Sequence, residues 1–306
     1  MSVKVIHGTQ AYPADGLGPV LTIGNFDGVH LGHRSLLNRV VDTARQMGRP
    51  AAVLTFDPAP RDVLRPDNDI PRIQSLDDKI FALGDVGIEQ VIVEAFTIEL
   101  ASQSPRWFAE EILVHRLRAA AFVLGWDFRF GRKRAGTVDD LASWVGLPVE
   151  QVNAFHSGAH IVSSSRVREA VRAGEMATAA ELLGRPHRNR GRVVHGQHRG
   201  RELGFPTANV AIDTPLRPGA AVYAVRCDIG DGVARPAVAN LGRRPTFGGG
   251  DVVLEVHLLD FAADLYGAQV SVDYIGKIRD EMAFSGVEPL KAQIAADCER
   301  ARELLG

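Results

Sequence analysis

Residues 24–33 read GNFDGVHLGH, and the interpretation of the first half of the chain starts from this signature segment. A strand-like run, Val20–Ile23, precedes it, and apolar residues follow it at helical spacing, at positions 36, 37, 40, 41 and 44. The pattern predicts a loop that joins a strand to the start of a helix. Gly24, Gly28 and Gly32 allow this loop to turn tightly and to approach a ligand closely.

Two histidines, His30 and His33, lie where the predicted loop becomes a helix. A helix start offers unpaired N–H groups and a positive dipole end, which favour phosphate, and imidazoles donate hydrogen bonds to phosphate oxygens. We therefore predict a nucleotide triphosphate site without a Walker lysine, because the chain has no G-x-x-x-x-G-K-[ST] motif. Two surface histidines or a zinc pair remain alternatives, although the spacing is not H-E-x-x-H and no third ligand is obvious.

Length and composition limit the classes of protein to consider. A chain of 306 residues predicts two domains, and a net charge of −2 argues against general nucleic-acid binding. The two cysteines, Cys227 and Cys298, have no metal or redox spacing. With no apolar signal core and no run of membrane-spanning length, we expect a cytoplasmic protein with no membrane partner and at most weak homo-oligomerisation.

The first half alternates predicted strands with predicted helices. Buried strands are expected at 51–56, 91–93 and 121–124, and helix starts at Ser75, at Ser104 (through about Arg116) and at Thr137. Such alternation predicts a doubly wound parallel sheet with the ligand site at the carboxyl ends of the strands. The signature segment, in the first strand-to-helix loop, lies at that edge.

The second half has a different pattern. From Gly191 onwards, short β-branched runs separated by glycine and proline predict a small antiparallel β-barrel or sandwich, and we expect the barrel, followed by a helix from about Pro289. The change of character near Gly184–Pro186 places the domain boundary there. The predicted fold is α/β, with domains at 1–186 and 187–306.

Three further stretches offer groups suited to nucleotides. Gly125–Gly131 follows a strand and has aromatic and polar groups that could hold adenine or flavin, or it is a surface loop. Ser163–Arg168 looks like a helix start whose hydroxyls and N–H groups could bind phosphate, or an ordinary serine cap. Gly200–Asn209 combines two glycines with Thr207 and Asn209, whose oxygens suit Mg²⁺, or it is a turn into a strand.

A carboxylate on a predicted strand is the candidate base. Alternation over 253–259 places Val253, Glu255, His257 and Leu259 on one face. A carboxylate there could accept the proton of a hydroxyl that attacks the γ-phosphate of ATP. The alternative is the exposed face of an ordinary antiparallel strand.

Taken together and in their order along the chain, these sequence segments resemble the bifunctional bacterial riboflavin kinase/FMN adenylyltransferase family, and the resemblance covers nearly the full chain. The matching pieces are residues 24–33, 55–58, 125–131, 163–168 and 191–210. The resemblance implies that ATP phosphorylates riboflavin to FMN. It also implies that the FMN phosphate then attacks the α-phosphorus of a second ATP, giving FAD and pyrophosphate, with Mg²⁺ assisting. ATP, riboflavin and FMN are then the small-molecule partners, without nucleic acid.

The resemblance also implies roles for individual residues. His30, His33, Arg166 and the proposed base Glu255 would be catalytic, and Thr207 with Asn209 would hold Mg²⁺-ATP. Arg279, Glu281 and Phe284 match the flavin-side segment. The implied nucleotide-binding residues are Gly24, Phe26, Asp27, Gly28, Gly125, Asp127, Ser164, Ser165, Gly200 and Gly204.

One clear departure from the family pattern concerns Ala59, since the family usually has histidine there; Ser165 in place of threonine is milder. Loss of one preorganised donor costs about 10²–10³ in rate in other enzymes, so slow adenylylation is expected. The alternative functions are a riboflavin kinase with a weak or inactive adenylyltransferase domain, and a flavin-binding sensor or carrier.

Overall fold

Six parallel strands form the sheet of the first half in the computed structural model, which describes residues 3–14, 16–67, 70–195, 203–243 and 252–306. The order across the sheet is β1-β4-β3-β2-β5-β6, with every neighbouring pair parallel, as predicted. Residues of β2 and β3 are buried throughout, which explains their continuous apolar sequence. The strands are β1 (Lys4–His7), β2 (Val20–Ile23), β3 (Ala51–Phe56), β4 (Gln90–Glu94), β5 (Ala121–Gly125) and β6 (Val149–Val152).

Helices connect these strands, and two separate core clusters cover the two faces of the sheet. Leu37 of α1 packs with Val53 and Val123 in one cluster, whereas Leu54 and Leu124 belong to the other. Because neighbouring residues of one strand contribute to opposite clusters, the sheet is doubly wound, as predicted. The helices are α1 (Leu31–Met47), α2 (Pro60–Leu64), α3 (Leu76–Val86), α4 (Ile98–Ser102), α5 (Pro105–Trp107), a π-helix (Phe108–Arg116) and α6 (Val138–Val145).

The predicted helix starts are confirmed by their caps. The side chain of Ser75 accepts a hydrogen bond from the backbone N–H of Asp78, and Ser104 does the same for Trp107. Thr137 forms a reciprocal capping box with Asp140. The helix that Ser104 starts ends at the predicted Arg116, although it continues beyond α5 as a π-helix.

The second half contains a closed barrel of six antiparallel strands, as predicted, in the order β10-β13-β12-β11-β14-β9. Side chains of Tyr223 and Tyr274 are fully buried in its core. A small two-stranded sheet, β7 (His156–Ser157) with β8 (His160–Ile161), precedes it. The barrel strands are β9 (His187–Val194), β10 (Ala208–Ile212), β11 (Ala221–Asp228), β12 (Ala234–Arg243), β13 (Val252–Leu258) and β14 (Gln269–Asp280).

Three helices accompany the barrel: α7 (Ser164–Ala173), α8 (Met176–Leu183) and the C-terminal α9 (Val287–Leu305), which the sequence placed two residues later. The chain divides into two compact units, residues 1–163 and 164–306. Helices α7 and α8 therefore pack with the barrel, whereas the sequence places the domain boundary after Pro186; that boundary remains a prediction. Within the described ranges, no helix is long and apolar enough to cross a membrane.

Candidate active sites

The signature segment forms a tight loop at the carboxyl end of β2. Phe26, Gly28 and Val29 all have positive φ angles, of 47°, 93° and 40°. Phe26 and Val29 are buried, and a β-branched residue in this conformation is a strained outlier of the kind found at functional sites. At Gly28, a Cβ atom would also lie 2.9 Å from the Cδ1 of Ile73, so a side chain is excluded on two grounds.

His30 and His33 lie together at the start of α1. His30 is the N-cap, and its Nδ1 accepts a hydrogen bond from the backbone N–H of His33 at 3.3 Å. The two rings are stacked, with centroids 3.7 Å apart and an interplanar angle of 15°. With Nδ1 as acceptor, neutral His30 carries its proton on Nε2, which can donate to a ligand. At 5% exposure, His30 is not one of a surface pair, contrary to the simplest alternative.

The charge state of His33 follows from its surroundings. Burial lowers its pKa well below the usual 6.5, and electrostatic interactions with His30 and with Lys79 lower it further. The ring is therefore neutral at neutral pH, and its buried Nδ1 atom has no hydrogen-bond partner among the residues that the structure describes. Among the residues with described positions, no group of three His, Cys, Asp or Glu side chains is arranged to hold a metal ion.

Asp27 ties the signature segment to the chain that precedes α3. Its Oδ1 accepts a hydrogen bond from the backbone N–H of Ile73 at 2.9 Å, and its Oδ2 lies 3.3 Å from a guanidinium nitrogen of Arg61. The nucleotide-binding role of Asp27 remains a prediction.

Ala59 is buried, and it is the N-cap of α2 without a side-chain hydrogen bond. Arg61, two positions later, places its guanidinium 3.3 Å from Asp27 and so brings a cation to the signature segment.

The 125–131 loop begins at the same edge of the sheet, because β5 lies beside β2. A Cβ atom on Gly125 would lie 3.7 Å from the Oδ1 of Asp127 and 3.8 Å from the Cδ2 of Leu36 in α1. Trp126 is half exposed, and Phe128 stacks on Phe130 with ring centroids 5.4 Å apart. Gly24 to Gly28, both histidines and Gly125 thus share one edge, as the predicted topology requires.

Ser164, Ser165 and Arg166 form the first turn of α7, in the second compact unit. The sequence predicted a helix start here, and that is confirmed. Ser165 is exposed, and Arg166 is partly buried. Their roles toward phosphate remain predictions.

Glu255 lies in β13, between two asparagines. It is paired in register with Asn209 of β10 on one side and with Asn240 of β12 on the other. Leu254 and Val256 are buried, whereas Glu255 lies half-buried on the opposite face of the strand. Asn240 was not selected from the sequence, because only the register of two strands places it beside Glu255.

The loop before β10 is fixed by His257, which lies two residues beyond Glu255. Its Nδ1 lies 2.8 Å from the carbonyl oxygen of Pro206, and its ring meets Phe205 edge-on with centroids 5.7 Å apart. These contacts hold the chain immediately before Thr207, which is exposed. Gly204 has a φ angle of 87°, and Gly200 lies outside the described residues.

Of the predicted flavin-side residues, Arg279 is held by α9. Arg279 binds Asp297 through two nitrogens, with Nε to Oδ1 at 2.9 Å and NH2 to Oδ2 at 2.8 Å, and Asp297 is only 3% exposed. The guanidinium carbon of Arg279 also lies 5.8 Å from the ring centroid of Phe284. Glu281 lies so close to Gly242 that a Cβ atom there would overlap its carboxylate. The fork of Arg279 is thus engaged within the protein, and its flavin-binding role remains a prediction.

Comparisons with known proteins match the two halves of the chain to two different family models. A family model described as FAD synthetase matches residues 13–166, and one described as riboflavin kinase matches residues 183–305. Bifunctional riboflavin kinase/FMN adenylyltransferases from Haemophilus influenzae and Escherichia coli K12 are each 40% identical to this chain. The matches cover 93% and 99% of this chain, and 94% and 97% of those proteins. A solved structure described as a macrolide-efflux protein from Streptococcus pneumoniae has a TM-score of 0.91 and 31% identity, with 99% of each chain covered.

Proposed function

Because the chain belongs to the family of bifunctional riboflavin kinases/FMN adenylyltransferases, we propose that its two signatures form two separate sites, one for each reaction. The enzyme phosphorylates riboflavin to FMN with ATP, and it adenylylates FMN to FAD with release of pyrophosphate. The barrel would carry the first reaction and the parallel sheet the second. The observation that most supports the proposal is the pairing of Glu255 with Asn209, which combines a base with an oxygen ligand in the barrel.

In the kinase reaction, the ribityl hydroxyl of riboflavin attacks the γ-phosphate of ATP. The Glu255 carboxylate accepts the proton that this hydroxyl loses. Phe284, which Arg279 contacts, would pack on the isoalloxazine ring, and Glu281 would lie at the flavin side of the site. The row of Asn209, Glu255 and Asn240 keeps the carboxylate among polar neighbours.

Mg²⁺ fits the barrel site by its donor chemistry. The Thr207 hydroxyl and the Asn209 amide oxygen are hard ligands, and the register sets Asn209 beside a carboxylate. When bound with ATP, Mg²⁺ would neutralise phosphate charge. Gly200 and Gly204 would let the loop lie against the phosphates.

In the adenylylation reaction, the FMN phosphate attacks the α-phosphorus of ATP and pyrophosphate leaves. His30 and His33 would donate hydrogen bonds to phosphate oxygens as charge develops on them, and Arg166 would stabilise the pyrophosphate. Phosphate itself is the nucleophile, so the protein mainly positions the reactants. Backbone groups of residues 24–28 and of Ser164 and Ser165 would bind the nucleotide, with Gly125 and Asp127 at the adjacent strand end.

The cell compartment and the partners follow from the same assignment. We propose a cytoplasmic enzyme, since its substrates are soluble metabolites and both cysteines are free and buried. Its partners would be ATP, riboflavin and FMN, with weak self-association at most and no role for nucleic acid or membrane.

The direct test is to incubate the purified protein with riboflavin, ATP and Mg²⁺ and to resolve the flavins by chromatography. We expect FMN to form first and FAD to follow. A flavin carrier would bind riboflavin without converting it, so unchanged riboflavin would contradict the enzyme assignment. FMN without FAD would contradict only the second activity.

Ala59→His is expected to raise the rate of adenylylation about 10-fold, because it restores a donor near the developing charge. Binding of ATP should change little, since the other proposed contacts remain, and the gain should therefore appear in kcat. Initial rates of FAD formation from FMN measure it, with the exposed Ala135→His as a matched control. If the wild-type adenylylation rate equals the kinase rate and the variant gains nothing, position 59 is dispensable and Arg61 becomes the candidate for the missing contact.

A further inference from the structure

Lys79 is a buried cation that neither proposed mechanism uses. It lies in α3 with only 6% of its surface exposed. Among the described residues, its ammonium makes a single, long hydrogen bond, from Nζ to the hydroxyl oxygen of Thr55 at 3.4 Å. Within the described parts of the chain, no carboxylate lies within 4.0 Å of this nitrogen. A buried ammonium without a counter-ion is costly, so its presence requires an explanation.

The position of Lys79 is directly beneath the signature segment. Thr55, near the end of β3, donates its own hydroxyl proton to the backbone carbonyl of Asn25 at 3.4 Å. A chain of two hydrogen bonds thus joins the ammonium to the loop that precedes His30. The Lys79 charge is also close enough to lower the pKa of His33.

The nearby carboxylates are bound by arginines rather than by Lys79. Arg72 pairs with Asp57 at 2.6 Å and with Asp62 at 2.7 Å, while Arg61 lies 3.3 Å from Asp27. Burial lowers the pKa of Lys79, and the charges of Asp27 and Asp57 act in the opposite direction to those of Arg72 and Arg61. These three carboxylates and three cations balance in number, but the arginines contact the carboxylates directly and the Lys79 ammonium does not. Lys79 is therefore the cation of this group that an added anion would suit.

We propose that the Lys79 ammonium is a further phosphate-binding group of the adenylylation site, beneath residues 24–33. This inference rests on the proposed assignment of adenylylation to this edge of the sheet. The ligand is a phosphate group, which ATP and its pyrophosphate product can supply, and which FMN can supply as a monophosphate. An ammonium held by one hydroxyl can turn toward a phosphate oxygen and form a charge-assisted hydrogen bond.

The chain has only five lysines, so lysine-selective ¹³C labelling gives a simple spectrum in which the Lys79→Arg variant identifies the Lys79 signal. Pyrophosphate added to the wild-type protein should shift the ε-carbon signal of Lys79 saturably. The exposed Lys133 provides a reference. Adding FMN and riboflavin separately shows whether the phosphate of FMN also shifts the Lys79 signal, because only FMN carries phosphate. A Lys79 signal that moves with FMN and not with pyrophosphate assigns the ammonium to the nucleophile.

Histidine labelling in the same sample distinguishes a failure of the Lys79 proposal from a failure of the phosphate site itself. If pyrophosphate, ATP and FMN all leave Lys79 unchanged while His30 and His33 shift, the role of Lys79 is disproved and the site stands. If neither residue type responds, the phosphate site at this loop is itself wrong.

Removing the charge provides a second measurement. Lys79→Met should weaken pyrophosphate binding about tenfold, the smaller end of the effect of a hydrogen bond to a charged group. A thermal unfolding curve that keeps the transition of the first compact unit shows that this unit is folded. FMN formation in the barrel should be unchanged, and Lys133→Met is the matched control. Unchanged pyrophosphate affinity in the folded Lys79→Met variant would overturn the proposal.

Discussion

Glu255→Gln is expected to abolish FMN formation while it leaves the conversion of FMN to FAD largely intact. Glutamine keeps the size and polarity of glutamate at this position, in register with Asn209 and Asn240, but it cannot accept the proton of the ribityl hydroxyl. Loss of a general base lowers rates by about 10²–10⁴, and this fall should appear in kcat with little change in KM. Both rates are measured on one preparation, with riboflavin or with FMN as the starting flavin.

The exposed Glu288 supplies the control for this substitution. Glu288→Gln makes the same chemical change at the start of α9, on a side chain that is 85% exposed. It should leave both rates unaltered. A Glu255→Gln enzyme that still forms FMN within tenfold of the wild-type rate would show that another group takes the proton.

His30→Ala is expected to have the opposite pattern, with adenylylation lowered about 10²–10³-fold and FMN formation preserved. The imidazole is buried and stacked on His33, and it lies at the start of α1, where phosphate is favoured. Rates of FAD formation from FMN measure the loss. His115→Ala, at a side chain that is 70% exposed in the same unit, is the control.

A second substitution separates chemistry from helix capping. Alanine at position 30 also removes the N-cap of α1, which costs about 1 kcal/mol of stability. His30→Asn keeps an acceptor for the backbone N–H of His33 but lacks the ring donor. It should be as inactive in adenylylation as His30→Ala and more stable to heat. Recovery of adenylylation in His30→Asn would mean that His30 serves only as a cap.

Local signals were sufficient for most of the fold. Serine and threonine caps predicted helix starts correctly because a cap interacts only with the next turn of its own chain. The strand β1 was not predicted, since it is an edge strand of four residues and only Ile6 in it is buried. A stretch so short carries too little periodicity to distinguish it from a loop.

The candidate sites were less accessible to sequence reasoning wherever partners are distant along the chain. Arg279 and Asp297 are 18 positions apart, and no motif links them, so the ion pair that occupies the guanidinium was not foreseen. Asn240 reaches Glu255 only through strand register. Lys79 did leave a signal, because it lies between Leu76 and Leu83 on the buried side of α3, where a lysine is out of place.

The packing of α7 and α8 with the barrel has a practical consequence for anyone who dissects this enzyme. A fragment that starts at residue 187 would lose both helices and the apolar side chains that they bury, Val167, Val171 and Leu182 among them. It would also uncover the Tyr223 hydroxyl, which lies close to Gly174. Limited proteolysis and gene truncation should therefore yield a stable kinase half when the chain is cut near residue 163, and an aggregating one when it is cut near 186.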